Sequence, residues 1–198
     1  MRKPADLRRS EIIEAVLRLA VEVGPDRLGT AAVAAAVGIS QPAIFRHFPT
    51  REALWVAVAE HVAARMRAAW AAVETGPTSP DDGPRRIVEA QARLVTDEPA
   101  ILAIVFSHEL RVSNPALAAV FRGLMADLTA RLVAAFAPLA ERTSVAPKDA
   151  ALLVLGLVQG LALRWSLAGR GFDLLAEARR LLDLQLAGLV RAEPGSRP

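Results

Sequence analysis

Apolar residues in this chain return at steps of three and four, and strand-favouring residues are sparse, so helices are the elements that can bury the apolar side chains together. Between Leu7 and Val23 the set is Ile12, Ala15, Val16, Leu19, Ala20 and Val23, one stripe of an amphipathic helix. Hydrophobic residues, mostly Ala, Leu and Val, make up 53% of the 198 residues and Tyr is absent. The composition therefore predicts an all-α protein. The length is enough to bury a sizeable core and admits either one domain or a small head fused to a larger body. With no Cys, a disulfide scaffold, a thiolate metal site and a thiol nucleophile are excluded.

Breakers divide the stripes. Gly24-Pro25 ends the first helix, and Thr30 to Val37, nearly all Ala and Val, stops at Gly38. A third segment begins at Ser40, expected to cap the helix with its hydroxyl, carries Pro42 in its first turn, and ends at Phe48-Pro49. Thr50 is expected to cap a long helix to about Val73. Residues 75–84 read as a loop, with further helices at about 84–96, 98–112, 115–137, 147–168 and 173–191, about nine helices in all. These divide into a head, residues 1–49, a body, residues 50–192, and a disordered tail, residues 193–198. The longest apolar run, Ala150 to Leu163, is interrupted by Gln159 and shorter than the roughly 18 residues a membrane span needs. It is expected to be a buried helix of a soluble protein without a membrane partner. The N-terminal residues lack a signal-like apolar region, which together with the missing Cys suits the cytoplasm.

The formal net charge is only +3, but its distribution is uneven. Residues 1–51 hold eight basic side chains against five acidic ones, leaving sixteen of each sign for the rest. Local positive charge of this kind suits contact with a polyanion, although an ordinary solvated surface has the same look. Arg2, Lys3, Arg8 and Arg9 form a basic arm ahead of the first helix, readable as a strand lying along phosphates or as solvated terminal charges.

Three short helices with a tight Gly turn between the second and third fit a helix-turn-helix, in which the third enters the major groove. On a helix from Ser40, Ile44 and Phe48 share one face and with Val37 and Ile39 can anchor it, leaving Gln41, Pro42, Ala43, Phe45, Arg46 and His47 around the remainder. Gln pairs bidentately with adenine, and Arg serves guanine or phosphate. A purely structural three-helix bundle would show the same Gly turn.

The run Val33-Ala34, then Val37-Gly38-Ile39-Ser40-Gln41-Pro42-Ala43-Ile44-Phe45-Arg46-His47-Phe48-Pro49-Thr50-Arg51-Glu52-Ala53-Leu54, resembles the DNA-binding domain of the tetracycline-repressor (TetR) family over about residues 10–55. The spacing, the Gly turn, the aromatic-X-His-aromatic ending and the basic-Glu-X-Leu start of the next helix coincide with it. The resemblance implies that Gln41, Pro42 and Ala43 approach base edges, and that Thr30, Phe45, His47 and Arg51 touch phosphates, with Ser40 and Arg46 in the same surface. Arg51 also opens the fourth helix, where the backbone dipole favours an anion. Two departures stand out: Phe45 replaces the family's usual Tyr and loses a hydroxyl, and Ala31 stands where the family places a base reader. Readout is therefore expected to lean on Gln41 and Arg46.

The resemblance further implies a ligand-responsive regulator, a repressor by family habit, that binds a palindromic double-stranded operator as a homodimer and is released by a small effector. The dimer is expected through the helices at about 147–168 and 173–191, where Ala151, Leu155, Val158, Ala162 and Trp165 accompany Gly156 and Gly160, and Leu174 to Leu189 continue the stripe. These residues would equally fill a monomer core. Effector contacts are sought among Trp70, Phe106, His108, Arg111, Phe121, Met125, Gln159, Arg164 and Trp165, each also readable as ordinary core or surface. An Ala/Leu/Val-rich body suits an apolar effector. No catalytic residues or cofactor are expected: Ser107, His108 and Glu109 are consecutive and point about 100° apart on a helix, too divergent for a proton relay. His47, His61 and His108 lack metal-ligand spacing. A DNA-binding protein of the same fold without an effector is the alternative.

Overall fold

A computed structural model describes residues 4–74 and 82–189. Ten α-helices and no β-strand occur among them: α1 Ala5–Val23, α2 Thr30–Val37, α3 Gln41–His47, α4 Arg51–Glu74, α5 Gly83–Asp97, α6 Ala100–Val105, α7 His108–Ser113, α8 Pro115–Phe136, α9 Pro147–Leu167 and α10 Leu174–Leu189. A 3-10 turn, Ala137–Leu139, extends α8. Residues 75–81 of the expected loop, Arg2 and Lys3 of the expected arm, and the whole expected tail lie outside the described residues. Arg8 and Arg9 belong to α1 rather than preceding it, a correction to the basic arm.

The chain packs as two compact units. The first takes the residues up to Arg65 together with Glu98–Leu124, and the second takes Met66–Asp97 with the residues from Met125 onward. Packing thus gathers more than the residue 1–49 head into the first unit. There α1 touches α2, α3 and α6, and α2 touches α3. The core is Ile12, Val16, Val33, Ile44, Phe48, Val58, Val62, Ile101, Ile104 and Leu117, each at most 1% exposed. Each such aliphatic side chain contributes roughly 1.5–3 kcal/mol on burial. In the second unit α10 packs on α5 and α9, and α5 on α9, around Trp70, Val95, Leu132, Phe136, Val154 and Leu182.

Several helix starts are capped by a local side chain. The Thr50 hydroxyl accepts from the Ala53 amide at 3.0 Å, as expected for its cap, and Asn114 and Asp173 accept likewise from Leu117 and Ala176 at 3.1 and 2.9 Å. Ser40 has the extended backbone of a cap (φ −74°, ψ 151°) but departs from expectation in that its hydroxyl caps nothing. Pro42 has no N–H to offer, and the Ala43 amide turns to the Ser40 carbonyl at 2.9 Å instead.

The single helix expected over 98–112 is two, α6 and α7, broken at Phe106-Ser107. The Ser107 hydroxyl accepts from the Leu110 amide at 3.1 Å and donates to the Asp26 carboxylate at 2.5 Å. A side chain 81 positions away thus holds the cap at the point where the apolar stretch Ala100–Phe106 gives way to the polar His108-Glu109. Helix α9 departs too. Its 21 residues are by length and composition sufficient to cross a bilayer, whereas the apolar run interrupted at Gln159 was expected to be too short. Expected as buried, it is buried on one face only, by Ala151, Val154, Leu155, Leu161, Ala162 and Trp165. Leu152, Leu153, Leu163 and Leu167 on the other face are 45%, 49%, 44% and 79% exposed.

Candidate nucleic-acid interface

The turn between α2 and α3 is set by one residue. Gly38 sits at φ 71°, ψ 37°, in the left-handed region, with its amide on the Ala35 carbonyl at 3.1 Å while the Ile39 amide reaches Ala34 at 3.0 Å. This pair of bonds closes the last turn of α2 and redirects the chain within two residues. No atom beyond its neighbours lies within 4 Å of where a Cβ would stand, so backbone geometry, and not space, requires glycine here.

Helix α3 then stands on Ile44 and Phe48, 0% and 1% exposed, while Gln41, Pro42, Phe45 and Arg46 face solvent and His47 is half-buried. Neither Arg46 nor Arg51 forms an ion pair among the described residues. Both guanidinium groups are thereby left without a direct carboxylate contact, a disposition suited to phosphate. Ala43, expected at the base edges, is 6% exposed, because it flanks Ile44 on the side facing the core. Gln41 and Pro42 are left as the exposed members of that trio. The Gln41 amide Nε2 donates to the Thr30 hydroxyl at 2.8 Å, joining the first residues of α3 and α2. Beside Arg51, the Glu52 carboxyl is held below its ordinary range by its own backbone amide first, then by the Thr50 hydroxyl and the Arg51 charge.

One positioning residue was missed by reading the sequence. The Arg9 guanidinium donates to the His47 carbonyl and lies 4.3 Å over the Phe48 ring. It clasps the C-terminus of α3 from α1, where a cation also suits the helix dipole. Its only local signal was a charge on the first helix, which pointed equally to a solvated arm.

The effector candidates fall in both units. In the first, Phe121 is buried, Phe106 is 36% exposed, His108 is on the surface, and Arg111 bonds to the Ser107 carbonyl at 3.3 Å. In the second, Trp70 is wholly buried with its indole N–H on Gln91 at 2.9 Å, a partner the sequence did not suggest. Trp165 spends its N–H on the Phe172 carbonyl at 2.9 Å, and Arg164 lies 5.1 Å over the Phe172 ring. Gln159 and Met125 do meet, amide to sulfur at 3.3 Å. A cleft of about 230 Å³ in the second unit is lined by Phe136, Leu139, Leu186, Arg85, Arg142 and Asp183 among others, and by none of the candidates. No group of three His, Asp or Glu side chains suited to a metal occurs among the described residues.

A short helix anchored by its apolar face, offering amide and guanidinium groups beyond a glycine turn, is the reading end of a helix-turn-helix DNA-binding protein. Residues 12–58 match the bacterial regulatory proteins of the tetR family, and residues 80–191 match the C-terminal region of BetI-type transcriptional repressors. The HTH-type transcriptional regulator BetI of Burkholderia thailandensis is 30% identical over 194 residues, 92% of this chain and 95% of that protein. Among solved structures, a TetR transcription regulator from Haloarcula marismortui superposes with a TM-score of 0.82 at 18% identity, covering 94% of this chain and 100% of that one. The Thermus thermophilus repressor FadR, solved with lauroyl-CoA, gives 0.64 at 24%, covering 96% and 100%. The chain belongs to the TetR family and is a transcriptional regulator with a C-terminal region of the BetI-type repressors.

Proposed function

We propose that the chain binds a palindromic operator as a homodimer, with α3 of each protomer in a major groove, and leaves it when a small, largely apolar effector binds. The observation that carries the reading is the division of α3: Ile44 and Phe48 buried, Gln41 and Arg46 in solvent. In the complex Gln41 and Pro42 meet base edges, with Ala43 behind them, while Thr30, Ser40, Phe45, Arg46, His47 and Arg51 meet the backbone or neighbouring bases. Residues 1–49 are the reader and residues 50–192 carry effector binding and dimerisation.

Of the residues expected at the seam, Ala151, Leu155, Ala162 and Trp165 are buried within the chain, so the dimer through these two helices rests instead on the exposed stripe Leu152, Gly156, Gly160, Leu163 and Leu167 of α9, with Leu184 of α10. Two-fold symmetry then pairs two readers with two half-sites. The effector candidates are Trp70, Phe106, His108, Phe121, Met125, Gln159 and Trp165, and the lauroyl-CoA held by a repressor of the same fold supports an apolar ligand. The effector must bind the DNA-free state more tightly, by roughly 1–3 kcal/mol in typical couplings. Regulation of this kind places the protein in the cytoplasm, with the DNA.

In-vitro selection of bound duplexes from a random pool, repeated with Gln41→Ala, tests the reading. The wild-type chain is expected to recover inverted repeats, and the variant to lose about 1–3 kcal/mol of discrimination at one base pair of each half-site. Recovery of unrelated sequences by the wild-type chain would remove the reading.

A further inference from the structure

Gln41 and Thr30 open two different helices, eleven positions apart, and are joined by a side-chain bond alone, Gln41 Nε2 donating to Thr30 Oγ1 at 2.8 Å. A glutamine amide carries two N–H donors on the nitrogen and two lone pairs on the oxygen. With one N–H committed to Thr30, the group is left with a single donor beside its acceptor oxygen. The Thr30 hydroxyl, having accepted that bond, keeps its own O–H, which has no partner among the described residues.

We propose that Thr30 is a specificity-determining residue: by taking one N–H of Gln41 it fixes the polarity of that amide, so that α3 reads adenine in preference to guanine. The proposal rests on the reading of α3 as the helix that enters the groove. In the major groove adenine shows an acceptor, N7, beside a donor, the N6 amino group, and the remaining N–H and carbonyl oxygen of Gln41 match both. Guanine shows two acceptors, N7 and O6, which an unrestrained amide nitrogen can approach with both of its protons. The tethered amide has only one proton left and sets its oxygen against the second acceptor. Cytosine and thymine each find one partner. A phosphate that accepts the free O–H of Thr30 polarises the hydroxyl and makes it a better acceptor for Gln41, so docking on the backbone reinforces the tether.

The test is selection of bound duplexes by the full chain as wild type, Gln41→Ala, Thr30→Ser, Thr30→Val and Thr30→Ala, followed by competition binding with duplexes differing only in adenine or guanine at the Gln41-dependent position. The wild type and Thr30→Ser are expected to prefer adenine there. Thr30→Val and Thr30→Ala are expected to lose about tenfold or more of that preference while every other position of the site is unchanged. Loss of a phosphate contact alone would weaken all duplexes equally and leave the ratio intact, which would overturn the proposal. So would a wild-type preference for guanine, or a site in which no position depends on Gln41. Circular dichroism decides which of the two hydroxyl-free variants is folded and therefore scored. A wild-type chain that selects no sequence at all instead refutes the groove reading itself, a result distinguishable because it appears before any variant is made.

Discussion

Arg9 shows what one side chain contributes to the reader. Its bond to the His47 carbonyl and its seat over Phe48 hold the end of α3 from a helix 38 positions away in sequence. Arg9→Ala is expected to cost about 1–3 kcal/mol, the sum of a charge-assisted bond and a cation–π contact, read as a lower urea midpoint at unchanged slope. Arg9→Lys should recover only part of it, because an ammonium cannot lie flat on the ring and reach the carbonyl together. Gly38→Ala forces a Cβ into the left-handed region and is expected to cost about 1–2 kcal/mol by the same measurement, with no packing term since the space is open. At this scale the sequence was legible wherever a residue type implies its own backbone or its own face. Gly38 declared the turn, and Ile44 and Phe48 declared the buried side. The same logic failed at Ser40, where a hydroxyl of the right kind met Pro42 and an amide already taken by a carbonyl.

Among the elements, α9 carries the exposed apolar face on which the proposed dimer rests. Gly156 and Gly160 are exposed, and nothing lies within 4 Å of a Cβ placed at either. Gly160→Leu should therefore leave the folded chain intact, with circular dichroism unchanged, and shift sedimentation from dimer to monomer. An unaltered dimer would place the interface elsewhere. Helices α5 and α10 are clasped by charge: Arg179 donates to Glu89 through two nitrogens, at 2.9 and 2.8 Å, and Arg93 adds a third contact at 2.9 Å. The Arg179 bonds lead in holding the Glu89 carboxyl below its ordinary value, against partial desolvation that raises it. A carboxyl whose pKa is depressed on folding contributes stability that is full above the unfolded value, near 4.3, and is lost as pH falls through the lower folded value. Glu89→Gln is thus expected to cost no more than about 1 kcal/mol at neutral pH, and its stability should converge on that of the wild type as the medium is acidified below the unfolded value. Equal loss at every pH would assign the effect to packing. The break between α6 and α7 carries no Gly or Pro to mark it, and the Ser107 hydroxyl that caps α7 is held by Asp26, a partner 81 positions away.

For the whole molecule the decisive quantity is the coupling between effector and operator. By linkage, an effector that weakens operator binding by some factor must itself bind the operator-loaded protein more weakly by the same factor. Calorimetric titration of one effector into the protein with and without its selected duplex measures this, and equal affinities would deny the effector any regulatory role. A thermal-shift screen of apolar and acyl-type compounds finds the candidate, since a ligand at a hundredfold its Kd stabilises the native state by about 2.7 kcal/mol. The amino-acid order alone determined the helical class, nearly all the helix ends, the glycine turn and the polar face of α3, because each of these follows from dihedral preference and periodicity within a few neighbouring residues. The tertiary structure decided the Arg9 clasp, the Asp26 to Ser107 bond, the Gln91 partner of Trp70 and the direction of the Gln41 amide. Those depend on which side chain packing delivers to a donor or acceptor, and no local pattern carries the address of a partner eleven to 81 positions away.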